Sequence, residues 1–470
     1  MSVSMIEAQS RQGTVLNTFG NGNGDRFGAT VSISNDGNRV AVMAPDNGRF
    51  GTASPQAEVY ELQGGNWVKL GETLSDYFSS PTSEEATVAL SGNGITVATG
   101  EPAFNTVDNF DAGRIQTFRL ASGSWTRVGS ELTGSYEDAQ LGKRIELLNN
   151  GTLMMTANFG GVAGDPRGAF NYNFTPTSWG PVGTQPILQS SNEVSLTGIA
   201  LSSQGDIVGI GLDKGENAPG EVQLFRFLAD WVSKGNLSGS SNGDGFGESI
   251  AMADIGKIVA VGAPKDGSGK VRVYDNSNTQ IGSTIEGSST DKDFGYSIDI
   301  SEDGTRIVIG APQNDPTTTE SGSVYVYDFV GSDWALQYTF NGTVDGEETG
   351  QSVSLSDDGM YLAIGRPRYE AAGQSDAGQV DVFILDGSVG TKDEKLVSVE
   401  VFPNPATDQL TISGMSNSPA TIQVFDAVGR VVLKTLSTTG TLEVSDLKDG
   451  YYFILIEGEE GVARIPFVKE

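Results

Sequence analysis

Seven units of about 50 residues, each built around a hairpin glycine between two apolar runs, and five tryptophans at one repeat position predict an all-β chain. The expected architecture is a seven-bladed β-propeller followed by a small C-terminal β-sandwich. The hairpin glycines are Gly37, Gly94, Gly151, Gly205, Gly256, Gly304 and Gly359, spaced 57, 57, 54, 51, 48 and 55 residues apart. Five follow Asp or Asn, the strongest short-range hairpin signal, because the turns such pairs form match the twist of the strands they join.

A short alternating strand leads into each hairpin, as in ATVSIS from Ala29, ESIAMA from Glu248 and YSIDIS from Tyr296. The strand that leaves it carries a small or flexible residue six positions past the anchor, as in DGTRIVIG from Asp303. Nine residues before the anchor stands another glycine in five units, at Gly28, Gly142, Gly247, Gly295 and Gly350, with Phe27, Phe246 and Phe294 ahead of three of them. A third strand opens on Gly113, Gly220, Gly269, Gly322 or Gly378 and alternates with period two. A fourth begins near Trp67, Trp125, Trp179, Trp231 and Trp334, and this shared position argues for packing between blades rather than sugar stacking. A β-solenoid has shorter coils and no such hairpins, whereas four-stranded blades in a ring leave only short, protected edges. The seventh unit lacks a tryptophan strand, and Gly13 to Phe19 precede the first unit without a partner. The N-terminal strand is therefore expected to complete the last blade, giving a propeller over residues 1–390, a linker at 391–395 and a sandwich at 396–470.

With 37% hydrophobic residues over 470 positions, the chain has apolar material for one large or two moderate cores. It contains no Cys and no His, which excludes disulfides, thiolate metal sites and every imidazole-based triad or zinc centre. The net charge of −31 opposes binding to nucleic acid or anionic membranes, and 24 basic and 50 acidic residues of it precede Leu396. No run nears the roughly 18 apolar residues a membrane helix requires, so no membrane insertion is expected. Met1 to Arg11 lack the basic and apolar regions of a secretory signal. No signal peptide is present in this sequence, and a trimmed or misassigned start is expected.

From Phe294 to Tyr327 the segments FG, SIDIS, DG, IVIGAP and GSVYVY follow in order. This stretch resembles the FG-GAP repeat of bacterial extracellular propellers and of the integrin α-subunit head. The resemblance extends over residues 13 to 390 and is strongest in units one, five and six. Integrin-type repeats often carry a D-x-D-x-D-G calcium loop, because a hard cation needs several oxygen ligands from one tight turn. The corresponding turns here, Asn35-Asp36-Gly37, Glu302-Asp303-Gly304 and Asp357-Asp358-Gly359, are too short to wrap a cation, and no cofactor is expected.

After Leu396 the period stops. Phe402-Pro403-Asn404-Pro405, then Asp446 to Tyr452 with Gly450 and Tyr451, then Pro466-Phe467-Val468-Lys469 resemble the type IX secretion C-terminal sorting domain. The resemblance implies recognition by type IX secretion machinery and a destination outside, or on the surface of, a Gram-negative bacterium.

In a propeller, the links between second and third strands and between blades emerge on one face. The long segments Asn105 to Gly113, Ala311 to Gly322 and Arg366 to Gly378 fall there, and loops on a rigid scaffold commonly carry binding. Arg366, Arg368 and Tyr369, with Asp315 and Asp376, are the candidate ligand-binding residues; guanidinium groups could grip an acidic glycan bidentately, or simply pair with neighbouring acids. The oxygen-rich interblade loops offer Asp25, Asp244, Asp291 and Asp293 as candidate calcium ligands, with solvated turns the plainer reading. The expected function is non-catalytic binding or adhesion to an extracellular glycan or protein. The alternatives are a carbohydrate-active propeller enzyme with a carboxylate or calcium site, and a structural surface component.

Overall fold

The computed structural model divides into two compact units, Met1–Gly387 and Ser388–Glu470. It describes residues 16–17, 24–46, 55–74, 85–158, 168–175, 178–184, 195–253, 258–289, 291–371 and 373–385 of the first unit. In the second it describes 400–413, 420–426, 431–437, 441–445, 447–458 and 461–469. The N-terminal stretch up to Arg11, most of Gly13 to Phe19, the hairpin at Gly256 and the linker at 391–395 lie outside the described residues.

The described elements are β-strands without helices. Among the described residues the first unit holds seven antiparallel sheets, each a blade; in the first six the strands follow chain order from the inside outward, and in the seventh the outermost strand comes from the start of the chain. The innermost strands are Thr30–Ile33, Thr87–Leu90, Ile145–Leu147, Ser195–Leu201, Ile250–Ala253, Ser297–Ile300 and Ser352–Leu355. Each neighbours the innermost strand of the next blade, and the seventh meets the first, so the ring is closed. In blade 2 the outermost strand is broken into Ser124–Arg127 and Leu132–Thr133, both paired with Arg114–Ala121.

The cores lie between blades. Val308, Val324 and Val326 of blade 6 pack against Val353, Leu355, Leu362, Ile364 and Phe383 of blade 7, and the other clusters repeat this arrangement. Phe27, Phe246 and Phe294 are fully buried in such seams. Burying each contributes on the order of 2–3 kcal/mol relative to exposure, which explains their repeat position. The small residue ending the second strand has a steric origin. A Cβ on Gly310 would lie 2.2 Å from the Gly350 carbonyl oxygen of the next blade, and Gly100, Gly211, Gly262 and Gly365 meet the same obstacle. The tryptophans tie the outer strands together: indole N–H groups donate to carbonyls of the preceding blade, Trp125 to Leu70 at 2.7 Å, Trp231 to Val182 at 3.0 Å and Trp334 to Ile281 at 3.2 Å.

Blade 7 takes its outer strand from the start of the chain. Leu16 and Asn17 pair antiparallel with Val380 and Gln379. Leu16 is 4% exposed and packs with Phe27, Val380 and Val382, so the first and last blades share one core.

In the second unit, one sheet contains Glu400–Phe402, Gln409–Ser413 and Thr441–Glu443, and another Val431–Ser437, Ala420–Asp426, Gly450–Gly458 and Gly461–Lys469. Leu410, Ile412 and Leu442 from the first meet Ile422, Val424, Ile454 and Phe467 from the second in one core, as in a β-sandwich.

Leu16→Ala should lower propeller stability by about 2–4 kcal/mol through lost burial at the closure seam. Hydrogen exchange should rise selectively in Gln379–Ile384. Unchanged exchange there would mean that the N-terminal strand does not hold the ring shut.

Candidate functional site

An innermost strand has one edge without a ladder partner, and its N–H groups must be satisfied otherwise. Side chains of adjacent blades supply the acceptors. Val31 N–H donates to Ser352 Oγ at 3.0 Å, Ile33 to Ser354 at 3.1 Å, Leu90 to Ser32 at 3.0 Å, and Leu355 to Asp299 Oδ2 at 2.7 Å. Hydroxyls at the strand starts donate to glycine carbonyls of the following blade: Thr87 to Gly142, Thr197 to Gly247, Ser249 to Gly295 and Ser297 to Gly350, at 2.6–2.8 Å. The alternating Ser and Thr of these strands are therefore inter-blade connectors.

The seven innermost strands enclose an axial cavity of about 420 Å³. On the long-loop face its wall begins with Arg26, Glu85, Lys143, Arg144, Glu248, Tyr296 and Glu348. At the opposite end the hairpin turns bond across the axis. Asp357 of blade 7 accepts from Asn149 of blade 3 at 3.1 Å and from Asn35 of blade 1, and Ser203 of blade 4 donates to Glu302 of blade 6 at 2.6 Å. Bonds between non-adjacent blades cross-link that end, while the loop-face end carries exposed side chains.

Three acids in this axial region are displaced upward. Burial, helped by the charge of Asp299 and opposed by Arg144, pushes Glu146 from 4.5 to about 8. Burial lifts Asp299 to about 6, against hydrogen bonds from Leu355, Ile300 and Ser354. Asp357 rises to about 7 through burial and the charges of Glu302 and Asp299. Desolvation dominates in all three because the channel wall replaces water that would stabilise the ionised form.

The candidate loop residues fall into separate places. Arg366 is 6% exposed, its guanidinium 3.1 Å from Asp381 and 3.6 Å from Glu347, so it braces blade 7 from within. Arg368 is exposed and pairs with Glu348 at 3.3 Å. Tyr369 closes its loop through its backbone, accepting from Gly378 N–H at 3.0 Å. Asp376 accepts Arg26 N–H on its carbonyl at 2.9 Å, so Arg368, Glu348, Asp376 and Arg26 meet where blades 7 and 1 join. Asp315 stands elsewhere, 2.7 Å from Lys292, whose bond holds its carboxyl below the usual range.

Of the candidate calcium ligands, Asp244 accepts N–H bonds from Gly220, Ser240, Ser241 and Phe246 at 2.8–3.2 Å. Asp291 accepts from Ser288 N–H at 2.5 Å and from the Tyr325 hydroxyl at 2.7 Å. Asp25 is buried, and Asp293 is raised by burial. Among the described residues no group of three acids lies together as a metal site. Asp244 and Asp291 organise the turns that seat the buried phenylalanines.

Sequence reasoning overlooked Arg144, Glu146 and Asp299, and weighed Asp357 only as part of a calcium turn. Aligning units on the glycine before the first strand exposes the first two. The positions two and four residues on hold Thr30 and Ser32, Ser249 and Ala251, Ser297 and Asp299, Ser352 and Ser354; after Gly142 they hold Arg144 and Glu146.

In the second unit the motif residues converge. Asn404 Oδ1 accepts Val468 N–H at 2.9 Å, Ala406 N–H donates to Val468 O at 2.8 Å, and Lys469 and Val468 pair with Gly450 and Tyr451. Lys469 is buried with its ammonium 3.7 Å from Asp449, Phe402 is exposed, and the Phe402-Pro403 and Asn404-Pro405 peptides are cis.

Residues 400–470 match the family described as a secretion system C-terminal sorting domain, and residues 285–327 match the FG-GAP repeat. No curated protein matches the chain. Similar solved structures include the β-propeller domain of Myceliophteria thermophila Cps50 (Swd1), 13% identical with a TM-score of 0.53, covering 79% of this chain and 99% of that one. A chain of the mitotic checkpoint complex is 15% identical with a TM-score of 0.51, covering 82% and 98%. Sqt1 from Chaetomium thermophilum is 13% identical with a TM-score of 0.51, covering 78% and 98%. At such identities the likeness is one of fold. The fold is a β-propeller, and the sorting tail assigns the chain to type IX secretion and a secreted or surface destination.

A carboxyl whose pKa is raised on folding stabilises the protein below its unfolded value and loses that contribution as pH rises through the folded one. Stability should therefore decline between pH 4.5 and about 8 as Glu146 ionises, with Asp299 and Asp357 adding to the decline. Glu146→Gln should leave the melting temperature unchanged at pH 4 and raise it by roughly a few degrees at pH 9. Equal shifts at both values would contradict an enclosed, ionisable Glu146.

Proposed function

We propose that the chain is an exported, non-catalytic binding module of a Gram-negative bacterium that engages an extracellular glycan or protein through its long-loop face. One loop carries this reading. Thr106 Oγ1 accepts Asn109 N–H at 3.0 Å, Asn105 Oδ1 accepts Asp111 N–H at 2.8 Å, and Arg114 lies 4.1 Å over the Phe104 ring. This bonded loop holds Val107 at 101% and Phe110 at 68% exposure, flanked by Asp108 and Asp111. Two large apolar side chains presented together on a braced loop offer a contact surface whose ordering cost is already met before binding. A protein surface with an apolar pocket and basic rim, or a sugar with an apolar face, would suit it. Asp299 supports binding over glycoside cleavage, because its two oxygens already accept the Ile300 and Leu355 N–H groups at 2.8 and 2.7 Å.

The paired variant Val107→Ser, Phe110→Ser should lose at least tenfold in affinity for whatever wild type captures on arrays of glycans and extracellular proteins. Retained affinity, or a wild type that captures nothing, would defeat the reading.

Deleting residues 396–470 should leave the propeller in the periplasm, as followed by fractionation. Surface delivery of the truncated chain would show that the tail is not its export signal.

A further inference from the structure

Blade 3 departs from the repeat at the place where the repeat has a structural duty. Elsewhere the channel-facing positions hold hydroxyls, alanine or an aspartate already bonded to backbone N–H groups. Glu146 does none of this: among the described residues its carboxylate has no hydrogen-bond donor and no ion pair. It lines the axial cavity and is only partly reached by water. Arg144, two residues earlier and thus on the same strand face, donates to the Lys143 carbonyl at 3.1 Å and is in ion-pair range of no described carboxylate. A wall that would be complete with Ser or Ala instead holds a carboxylate whose ionisation the surroundings oppose. Replacing a connector by an unpaired acid destabilises the ring at neutral pH, and such departures from local consistency characteristically mark sites.

We propose that the axial channel binds a small molecule bearing a protonated amine, whose ammonium group donates to Glu146 within the field of Asp299. The cavity, about 420 Å³, is large for a bare ion and admits a molecule of several heavy atoms. No three acids are grouped to coordinate a metal among the described residues, whereas one carboxylate with a second acid nearby suits an ammonium. Ser32, Ser249 and Ser352 line the same walls, their hydroxyls engaged in the inter-blade bonds. The charges that act on Glu146 are Asp299 from blade 6 and Arg144 from its own strand, and Arg26, Glu85, Lys143, Glu248 and Glu348 line the same cavity. Because Glu146 is raised to about 8, an ammonium that binds at neutral pH displaces the carboxyl proton to solvent, and affinity grows as pH rises towards that value. This site is independent of any macromolecule held by the loops.

The test is titration calorimetry on the full chain with 5-aminopentanol and with 1,5-pentanediol, which differ in one ammonium for hydroxyl. At pH 8.5 the amine should bind at least tenfold more tightly than the diol, and at pH 5.5 it should weaken at least tenfold. Glu146→Gln, checked for an intact melting transition, should reduce amine binding at least tenfold at pH 8.5. Equal binding of amine and diol, no amine binding to wild type, or saturation by calcium chloride alone with the amine inert would each overturn the proposal. The first two need no variant, so a misfolded mutant cannot shelter it.

Discussion

Every blade ends, at its inner edge, in a strand whose outward N–H groups no sheet partner satisfies, and the ring exists in a form that answers this. Ser32, Ser352, Ser354 and Asp299 accept those N–H groups from the adjacent blade, while Thr87, Thr197, Ser249 and Ser297 bond glycine carbonyls of the next. A buried backbone donor left without an acceptor costs about 1–3 kcal/mol, so a ring with several such edges could not tolerate leaving them open. The bonds demand close approach, which is why glycine must stand at positions such as Gly310 and why the phenylalanine seams lie between blades. Polar satisfaction at the axis and apolar burial further out therefore prescribe one spacing.

That spacing creates the channel as a by-product. Innermost strands held by short side chains cannot meet at the centre, and the space that remains is lined by the groups that hold them apart. Its two ends differ because hairpin turns on one face are short enough to bond across the axis, through Asp357 to Asn149 and Ser203 to Glu302, whereas the other face carries the longer connections. Acids brought into this space lose water without gaining full ion pairs, and their ionisation is opposed accordingly.

The C-terminal unit applies a different economy. The Phe402-Pro403-Asn404-Pro405 segment bonds the last strand beside Lys469, and Lys469 pairs in register with Gly450. Three motifs separated by tens of residues thus form one region at the end of the sandwich. Their fixed order in the chain reflects the geometry of that region, with Phe402 left exposed beside it.

The chain by itself determined the all-β class, the repeated blade and the hairpins. These follow from local chemistry, period-two alternation and Asp-Gly turns, while the secreted or surface destination rests on the resemblance of the last motifs to a sorting domain. The inter-blade role of the tryptophans was legible for the same reason, since five identical positions can only share one environment. Tertiary structure decided what the polar residues do. For Arg366 the sequence left open a ligand contact or pairing with neighbouring acids, and in the fold Asp381 and Glu347 enclose it; for Asp244 and Asp291 it left open calcium or a plain turn, and in the fold they accept turn N–H groups and, at Asp291, a tyrosine hydroxyl. Glu146 was one acid among 60 until the ring set it in the channel opposite Asp299. A carboxylate's role depends on the water it loses and the donors it meets, and residues far away in the chain control both.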